Sequence, residues 1–275
     1  MANTIYWGQA AVENTNGFGK APTNNTIDFG EVCADSWSPE TNLVGGSAVF
    51  SNTKSIELDG IDDYVDCGST SYLQNLTEFS ISIWAKQSTA TSTQCLIGDW
   101  NFNTQGNIAL ETGTASGGAT KLTFYIRELN GTIRTTTTQN YVFTENVWNH
   151  IAITFNSGTL NIYVNGIAQG LNLPILPSSL SHNDGTLDIG YFEGLGRNFL
   201  GNLDEVSVFN SELSQSDVTA IYGGGVPTSL SSYSSLISWW RCGDGDTSPI
   251  LSDNGSGGND GTMTNFSTFS TDVPT

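Results

Sequence analysis

Carboxylates are the groups in this chain whose spacing comes nearest to chemistry. Asp59, Asp62 and Asp63 crowd a glycine-containing corner, Asp204 and Glu205 adjoin, and Asp244, Asp246 and Asp253 follow in a glycine-rich stretch. Glycoside hydrolysis needs two acids held on opposite sides of a sugar-binding cleft, and no pairing of these acids shows that arrangement. Nucleophilic catalysis fares no better: there is no GxSxG elbow, and His150 and His182 have no supporting spacing. His150 follows Trp148 at the start of an apolar alternation, which fits a hydrogen-bonded structural histidine. Hard cations remain, because calcium takes several oxygens from carboxylates and turn carbonyls, as acidic Gly and Asn corners supply. The set Asp244, Asp246 and Asp253 misses the EF-hand spacing and its terminal Glu. Cys33, Cys67, Cys95 and Cys242 show no CxxC or other tight spacing, so buried free thiols are expected rather than zinc or redox chemistry. Seven Trp and nine Tyr offer stacking surfaces for sugar rings. Trp84, Trp148 and Trp240 fall on strand patterns and read as core. Trp100, Tyr191 and Phe192 fall in loops, open either to glycan contact or to burial beneath the loop.

The elements that must position these groups are strands. From Ser55 onward apolar residues alternate with polar ones between turn signals. Phe79, Ile81 and Ile83 alternate with Ser80 and Ser82. Leu122, Phe124 and Ile126 alternate with Thr123, Tyr125 and Arg127, before a turn at Asn130-Gly131. Ile151, Ile153 and Phe155 share one face; after Asn156-Ser157-Gly158, Leu160, Ile162 and Val164 share it too, ending at Asn165-Gly166 in a hairpin pattern. Half-buried alternation needs a second layer over its apolar faces, so the expected fold is all-β, two packed antiparallel sheets. One short helix is expected after Ser214, with Asp217 three residues on, Val218, Ile221 and Tyr222 following, and Gly223-Gly224-Gly225 closing it. It should cap one end of the sandwich. Val226 to Ser235 reads as a linker or surface crossing, and a last ordered piece begins at Leu236.

Composition narrows the partners. Eight Lys and Arg against 27 Asp and Glu give a formal charge of −19, which repels nucleic-acid backbones and anionic lipid surfaces. No apolar run is long enough to span a bilayer, and Met1 to Tyr6 has no basic start followed by an apolar stretch, so neither membrane insertion nor a signal peptide is expected. Charged residues make up only 13% and glycines number 31, a composition that favours short strands and turns over long helices. The first 45 residues carry a repeat of their own. Trp7-Gly8, Phe18-Gly19 and Phe29-Gly30 recur every eleven residues, with Asn14-Thr15 and Asn25-Thr26 between them. So short a unit buries little by itself, which makes residues 1–45, through Trp7, Phe18 and Phe29, an expected assembly arm; a flexible Asn/Thr/Gly-rich arm is the alternative.

Ser55-Ile56-Glu57-Leu58-Asp59-Gly60-Ile61-Asp62-Asp63-Tyr64-Val65, Phe79 to Ala85, Trp148-Asn149-His150-Ile151-Ala152, Tyr163-Val164-Asn165-Gly166 and Gly201-Asn202-Leu203-Asp204-Glu205-Val206 occur in that order. As a set they resemble the laminin-G/pentraxin-like branch of concanavalin A-like lectin domains, over about residues 50 to 222. The resemblance implies a jelly-roll sandwich over residues 46–225. The opening motif of that family resembles Trp239-Trp240-Arg241-Cys242-Gly243-Asp244-Gly245-Asp246 through Asp260-Gly261-Thr262, here at the carboxyl end. This implies a circular permutation in which residues 226–275 complete the sandwich with a terminal strand. It further implies a structural calcium ion with Asp59, Gly60 and Asp204 as ligands. The alternative is that Asp59 and Asp63 cap a tight turn while Asp204 accepts backbone hydrogen bonds. Glycosidases of this fold carry an ExDxxE-type strand, which Asp204-Glu205 lacks, so no enzyme is expected.

The arm followed by such a domain also resembles structural proteins of tailed phages. That looser resemblance implies a virion-surface decoration or fibre component, a homo-oligomer with a trimer favoured, other virion proteins as partners, and adhesion to cell-surface glycans through repeated weak contacts. A free carbohydrate-binding module, or an enzyme of the same fold, is the rival reading.

Overall fold

The computed structural model describes residues 50–100, 106–192 and 194–275. The repeat residues Trp7, Phe18 and Phe29, and Cys33, lie outside the described residues. Among those described, β-branched and aromatic side chains at alternate positions give a chain of short strands. These are β1 (Ser55–Asp59), β2 (Tyr64–Ser69), β3 (Glu78–Gln87), β4 (Gln94–Gly98), β5 (Ile108–Thr112), β6 (Ala119–Thr120) and β7 (Leu122–Arg127). Then come β8 (Ile133–Thr138), β9 (Phe143–Thr144), β10 (Asn149–Asn156), β11 (Thr159–Val164), β12 (Ile167–Ala168), β13 (Leu171–Asn172) and β14 (Thr186–Ile189). The last are β15 (Leu200–Phe209), β16 (Leu236–Trp240), β17 (Ile250–Leu251), β18 (Gly261–Thr264) and β19 (Phe269–Ser270), with one helix, α1 (Gln215–Tyr222), between β15 and β16.

Two large antiparallel sheets result. The eight-stranded sheet runs β12-β11-β10-β3-β15-β1-β19, with β16 also on β15; the nine-stranded sheet runs β13-β8-β7-β5-β4-β14-β2-β18-β17. The expected hairpin is β10–β11, with Ile151 opposite Val164, Ile153 opposite Ile162 and Phe155 opposite Leu160. Its two-residue turn, Ser157 (φ 47°) and Gly158 (φ 92°), takes positive φ at both central positions, as a type I′ turn requires. These residues and Phe79, Ile81 and Ile83 of β3 meet Val65, Ile97, Leu110 and Phe124 of the other sheet in one fully buried core, with Phe79 and Phe124 6.1 Å apart. The carboxyl-terminal segment supplies strands to both sheets: β16 pairs with β15, β18 with β2, and β19 with β1. Residues 50–275 form one compact unit.

The outer face of the eight-stranded sheet departs from the alternation expected of it. Ser80, Ser82, Thr154 and Ser207 are as buried as the apolar residues between them. Helix α1 is the reason: it does not cap an end but lies over this face. Leu213, Val218 and Ile221 form with Ala152, Tyr163, Phe209, Leu230, Leu236 and Trp239 a second apolar cluster. The 226–235 crossing, through Leu230 and Tyr233, completes that cover. The buried hydroxyls are affordable because each is bonded locally, Ser80 Oγ to the Ser211 carbonyl (2.8 Å) and Ser207 Oγ to the Ser82 carbonyl (3.3 Å). The helix begins in a capping box between Ser214 and Asp217 and ends at Gly223 in the left-handed region (φ 59°), where a Cβ would lie 2.2 Å from the Val226 carbonyl oxygen.

Candidate functional site

The expected calcium ligands do not converge. Asp59 pairs with Leu200 across β1 and β15, while Asp204 lies four residues further along β15, roughly 13 Å away at about 3.3 Å per residue. Asp204 occupies the place where β15 changes partner from β1 to β16. The chain bulges there, Glu205 adopts φ 47°, and both carboxyls turn into the protein, 0% and 3% exposed. Asp204 accepts from Asn52 Nδ2 and the Glu205 N–H, both at 2.8 Å, so its oxygens serve the backbone and a neighbouring amide. Burial pushes the Asp204 carboxyl well above its usual range, and the Glu205 charge adds to this. Burial also raises Glu205 to about 7, against the pull of Arg241 and of the Trp239 Nε1–H. Arg241 donates to Glu205 (3.2 Å) and to the Ser51 carbonyl while its guanidinium lies over Phe50, 4.5 Å from the ring centroid.

What does converge is the turn after β1. Carboxylate oxygens of Asp59, Asp62 and Asp63 lie within 4.8 Å of one another. Asp59 Oδ1 accepts from the Ile61 and Asp62 N–H groups, and Asp63 Oδ2 from the Asp59 N–H. Gly60 makes the turn possible: its φ is +73°, and a Cβ there would sit 2.8 Å from Leu200 Cβ. Burial, then the charges of Asp59 and Asp62, raise the Asp63 carboxyl. This donor set suits a hard cation. The acids of the carboxyl end are otherwise occupied. Asp246 accepts from Gly243 and Ser252 N–H groups, and Asp253 from Trp239, Gly255 and Asn259 N–H groups.

One serine–histidine pair exists among the described residues. His150 Nε2 lies 2.8 Å from Ser82 Oγ, but both residues are sealed beneath α1, with the imidazole between Trp84 (5.2 Å) and Tyr222 (6.0 Å). His150 Nδ1 has no hydrogen-bond partner among the described residues. Burial alone lowers its pKa to about 3. Among the described residues no acid is hydrogen-bonded to this imidazole, and the serine is buried. The thiols of Cys67, Cys95 and Cys242 are free and buried, their pKa values raised by burial.

The outer face of the nine-stranded sheet is built differently. Pairing register lines up Thr135, Tyr125, Ala109, Gly98, Asp188, Asp66 and Thr262 in one row across seven strands. The small Ala109 packs there in one apolar cluster with Cys95, Trp100 and Phe192. Trp100 and Phe192 are therefore 6% and 5% exposed and show no open ring face. Arg127 covers Trp100 at 4.2 Å from its centroid. Arg197 reaches back over Phe192 to hold both oxygens of the buried Glu111 at 2.5 and 2.6 Å, beside Tyr125. Tyr191 is half-buried and stacks on Tyr64 at 4.8 Å. Sequence reading missed Tyr64, Tyr125 and the Arg197–Glu111 pair. The available signals were that Tyr64 and Asp66 flank core Val65 at period two, and that Arg197 is one of few basic residues. Trp148 is also not core: it is half-buried, and its Nε1 donates to Asp272 (2.9 Å).

Comparison with known proteins agrees with this architecture. A candidate carbohydrate binding protein from Bacteroides ovatus superposes with a TM-score of 0.58 at 21% identity, covering 82% of this chain; the chain spans only 62% of that protein's length. The heptameric SAP-like pentraxin of Limulus polyphemus gives 0.51 at 14% identity, over 64% of this chain and 84% of the pentraxin. The CBM40 of Ruminococcus gnavus IT-sialidase, bound to alpha2,6 sialyllactose, gives 0.50 at 18% identity, over 62% and 97%. At such identities the likeness is one of fold. No curated protein matches the chain in sequence. Residues 59–219, more than half of the chain, match the laminin G model of the concanavalin A-like lectin/glucanases superfamily, and the chain belongs to that family.

Proposed function

We propose that this protein is a non-catalytic glycan-binding module displayed on a larger particle. One observation carries the reading: of the two outer sheet faces, one is sealed by α1 and the 226–235 crossing, and the other presents tyrosines, threonines and the Arg197 guanidinium, fixed by the buried Glu111 beneath it. Partly open aromatic rings beside fixed polar groups are what a sugar site requires. The carbohydrate-related names among similar folds support the same class. The non-catalytic part rests on burial, since Asp204, Glu205, Ser82 and His150 are all enclosed. A glycan array read alongside a reducing-end hydrolysis assay tests it: retention without cleavage is expected, and turnover abolished by a carboxylate substitution would overturn it.

The particle is read as a phage virion, with residues 1–45 as the attachment arm and the sandwich outward. Support for this lies in the eleven-residue aromatic-Gly period of the sequence. Removing residues 1–45 is expected to leave a folded sandwich and abolish a trimer or larger body on a sizing column; an unchanged oligomer refutes the arm. A structural calcium ion, on this reading, belongs to Asp59, Asp62 and Asp63 and not to Asp204. Chelation is then expected to lower the melting temperature of the wild type and leave that of Asp62→Ala unmoved. An equal response in both proteins removes calcium from the account.

A further inference from the structure

Resting on the glycan-binding reading, we infer that the edge of the Arg197 guanidinium turned away from Glu111, beside Tyr125, is a subsite that takes two adjacent hydroxyls of a sugar ring. The arginines of the described residues differ in how their donors are used. Arg241 gives Nε to Glu205 and Nη2 to the Ser51 carbonyl and Asp244. Arg127 covers Trp100 and donates through Nε to the Gly106 carbonyl. Arg134 pairs through Nε with Glu128 near the tip of the β7–β8 hairpin. In Arg197 both bonds leave from one nitrogen: Nη1 meets Oε1 and Oε2 of Glu111 at 2.5 and 2.6 Å, and the Glu111 side chain is 0% exposed. Nε and Nη2 form the opposite edge of the planar group, with two N–H donors side by side. No hydrogen bond leaves that edge for a described residue, though the Tyr125 hydroxyl stands close enough to favour the charged guanidinium. The Arg197 side chain keeps 30% of its surface open.

The fork is held in place before any ligand arrives. The Cys95 N–H donates to the Arg197 carbonyl (2.9 Å) and the Phe199 N–H to the Gly190 carbonyl (2.8 Å), which ties the 190–199 loop to β4 and closes it on itself. The guanidinium rests 5.5 Å from the centroid of the buried Phe192 ring. A side chain fixed in this way gives up its rotamer freedom on folding and not on binding. Tyr125 is half-buried and pairs across β7 and β8 with the exposed Thr135, so a partly open ring and a hydroxyl lie on the same sheet. The geometry sets the ligand class. Two parallel donors match two oxygens carried side by side, as in a carboxylate or in vicinal hydroxyls. Glu111 already balances the guanidinium charge, within a chain of formal charge −19, so the pair offers donors without a net charge to hold an anion. Hydroxyl oxygens accept from such a fork and bring no charge to it.

The test is an array carrying N-acetyllactosamine, its sialylated derivative, mannotriose, cellotriose and laminaritriose, probed with the full chain as wild type and as Arg197→Lys, at low and high salt. Lysine keeps a cation against Glu111 and replaces the fork by a single point, so binding of a retained neutral oligosaccharide is expected to fall on the order of tenfold. A second readout uses the wild type alone: phenylglyoxal labelling of Arg197, followed by peptide mass, is expected in the free protein and is expected to drop when a retained oligosaccharide is added at saturation. This decides the matter if Arg197→Lys does not fold. Full binding by a folded Arg197→Lys, absent labelling in the free protein, or labelling unchanged at saturation overturns the subsite and leaves the glycan reading intact. Preference for the sialylated derivative, with binding that weakens steeply as salt rises, overturns the vicinal-hydroxyl class. Absence of binding to every member of the array overturns the glycan reading itself.

Discussion

The two outer faces of the sandwich begin from the same strand pattern and end in opposite states. On the eight-stranded sheet, Ser80, Ser82, Thr154 and Ser207 alternate with core residues and are sealed under α1. On the nine-stranded sheet, Thr123, Thr135 and Thr137 alternate in the same way and meet solvent. The difference comes from what the chain does after each sheet is formed. After β15 it has a capped amphipathic turn of helix and an apolar crossing to lay over the first face, whereas over the second, among the described residues, lie Trp100 after β4 and Phe192 after β14. Alternation states which residues point away from the core; the cover decides whether they are wet.

Substitutions on the closed face should therefore carry the largest effects. Trp84 is 2% exposed and touches both His150 and Tyr222. Trp84→Ala is expected to cost roughly 3–5 kcal/mol in urea unfolding, as large-to-small changes at buried aromatics do. Ile221→Ala, which removes a side chain of α1 that is 3% exposed, should cost about 2 kcal/mol or more, and Ser214→Ala about 1 kcal/mol through loss of the cap. A loss below about 0.5 kcal/mol for both Trp84→Ala and Ile221→Ala would show that the cover is loosely held and that the faces do not differ.

The closed face should also respond to acid through His150. Its folded pKa is about 3 against 6.5 when free, so the unfolded chain binds the extra proton first. Stability is then fully present above pH 6.5 and lost as pH falls below it, by about 2 kcal/mol between pH 7 and 5. Glu205, raised from 4.5 to about 7, acts with opposite sign: its contribution is full below pH 4.5 and disappears as pH rises towards 7. Chemical denaturation across this range separates them. His150→Gln should remove the acid-side fall and Glu205→Gln the decline on the rising side; a pH profile unaltered in His150→Gln would mean the imidazole is not enclosed as described.

The divergence of the faces marks where sequence reading succeeds. The β10–β11 hairpin, the helix from its Ser214 cap to Gly223, and the two-layer core follow from local signals, because period two, turn glycines and capping boxes act within a few residues. Burial of Trp100 does not, since its ring packs on Cys95 and Ala109 of two paired strands and on Phe192, more than 90 residues later. Convergence of Asp59 with Asp204 failed because register and a bulge set their separation, and neither is written in the spacing of motifs. Cover over the eight-stranded sheet was invisible for the same reason: Val218 and Ile221 advertise an apolar stripe, but only Ala152 and Tyr163, more than 50 residues earlier, say where it lies. The acidic corner at 59–63 was legible as a unit because all three carboxylates belong to one turn.

Tyr191→Ala should give the smallest stability change of all, and it bears most directly on the contrast between the faces. The ring is half-open, packs chiefly on Tyr64, and makes no hydrogen bond through its hydroxyl among the described residues. Its loss removes one stacked contact, worth about 1 kcal/mol at most, with no cavity inside the core. A face that exists to hold the fold together would lose stability in proportion to the area removed. A face that exists to meet a ligand should give up its binding while its unfolding midpoint hardly moves. Melting curves of Tyr191→Ala and Trp84→Ala run side by side separate the two kinds of surface, and a drop for Tyr191→Ala comparable with that for Trp84→Ala would make the open face one more packing layer.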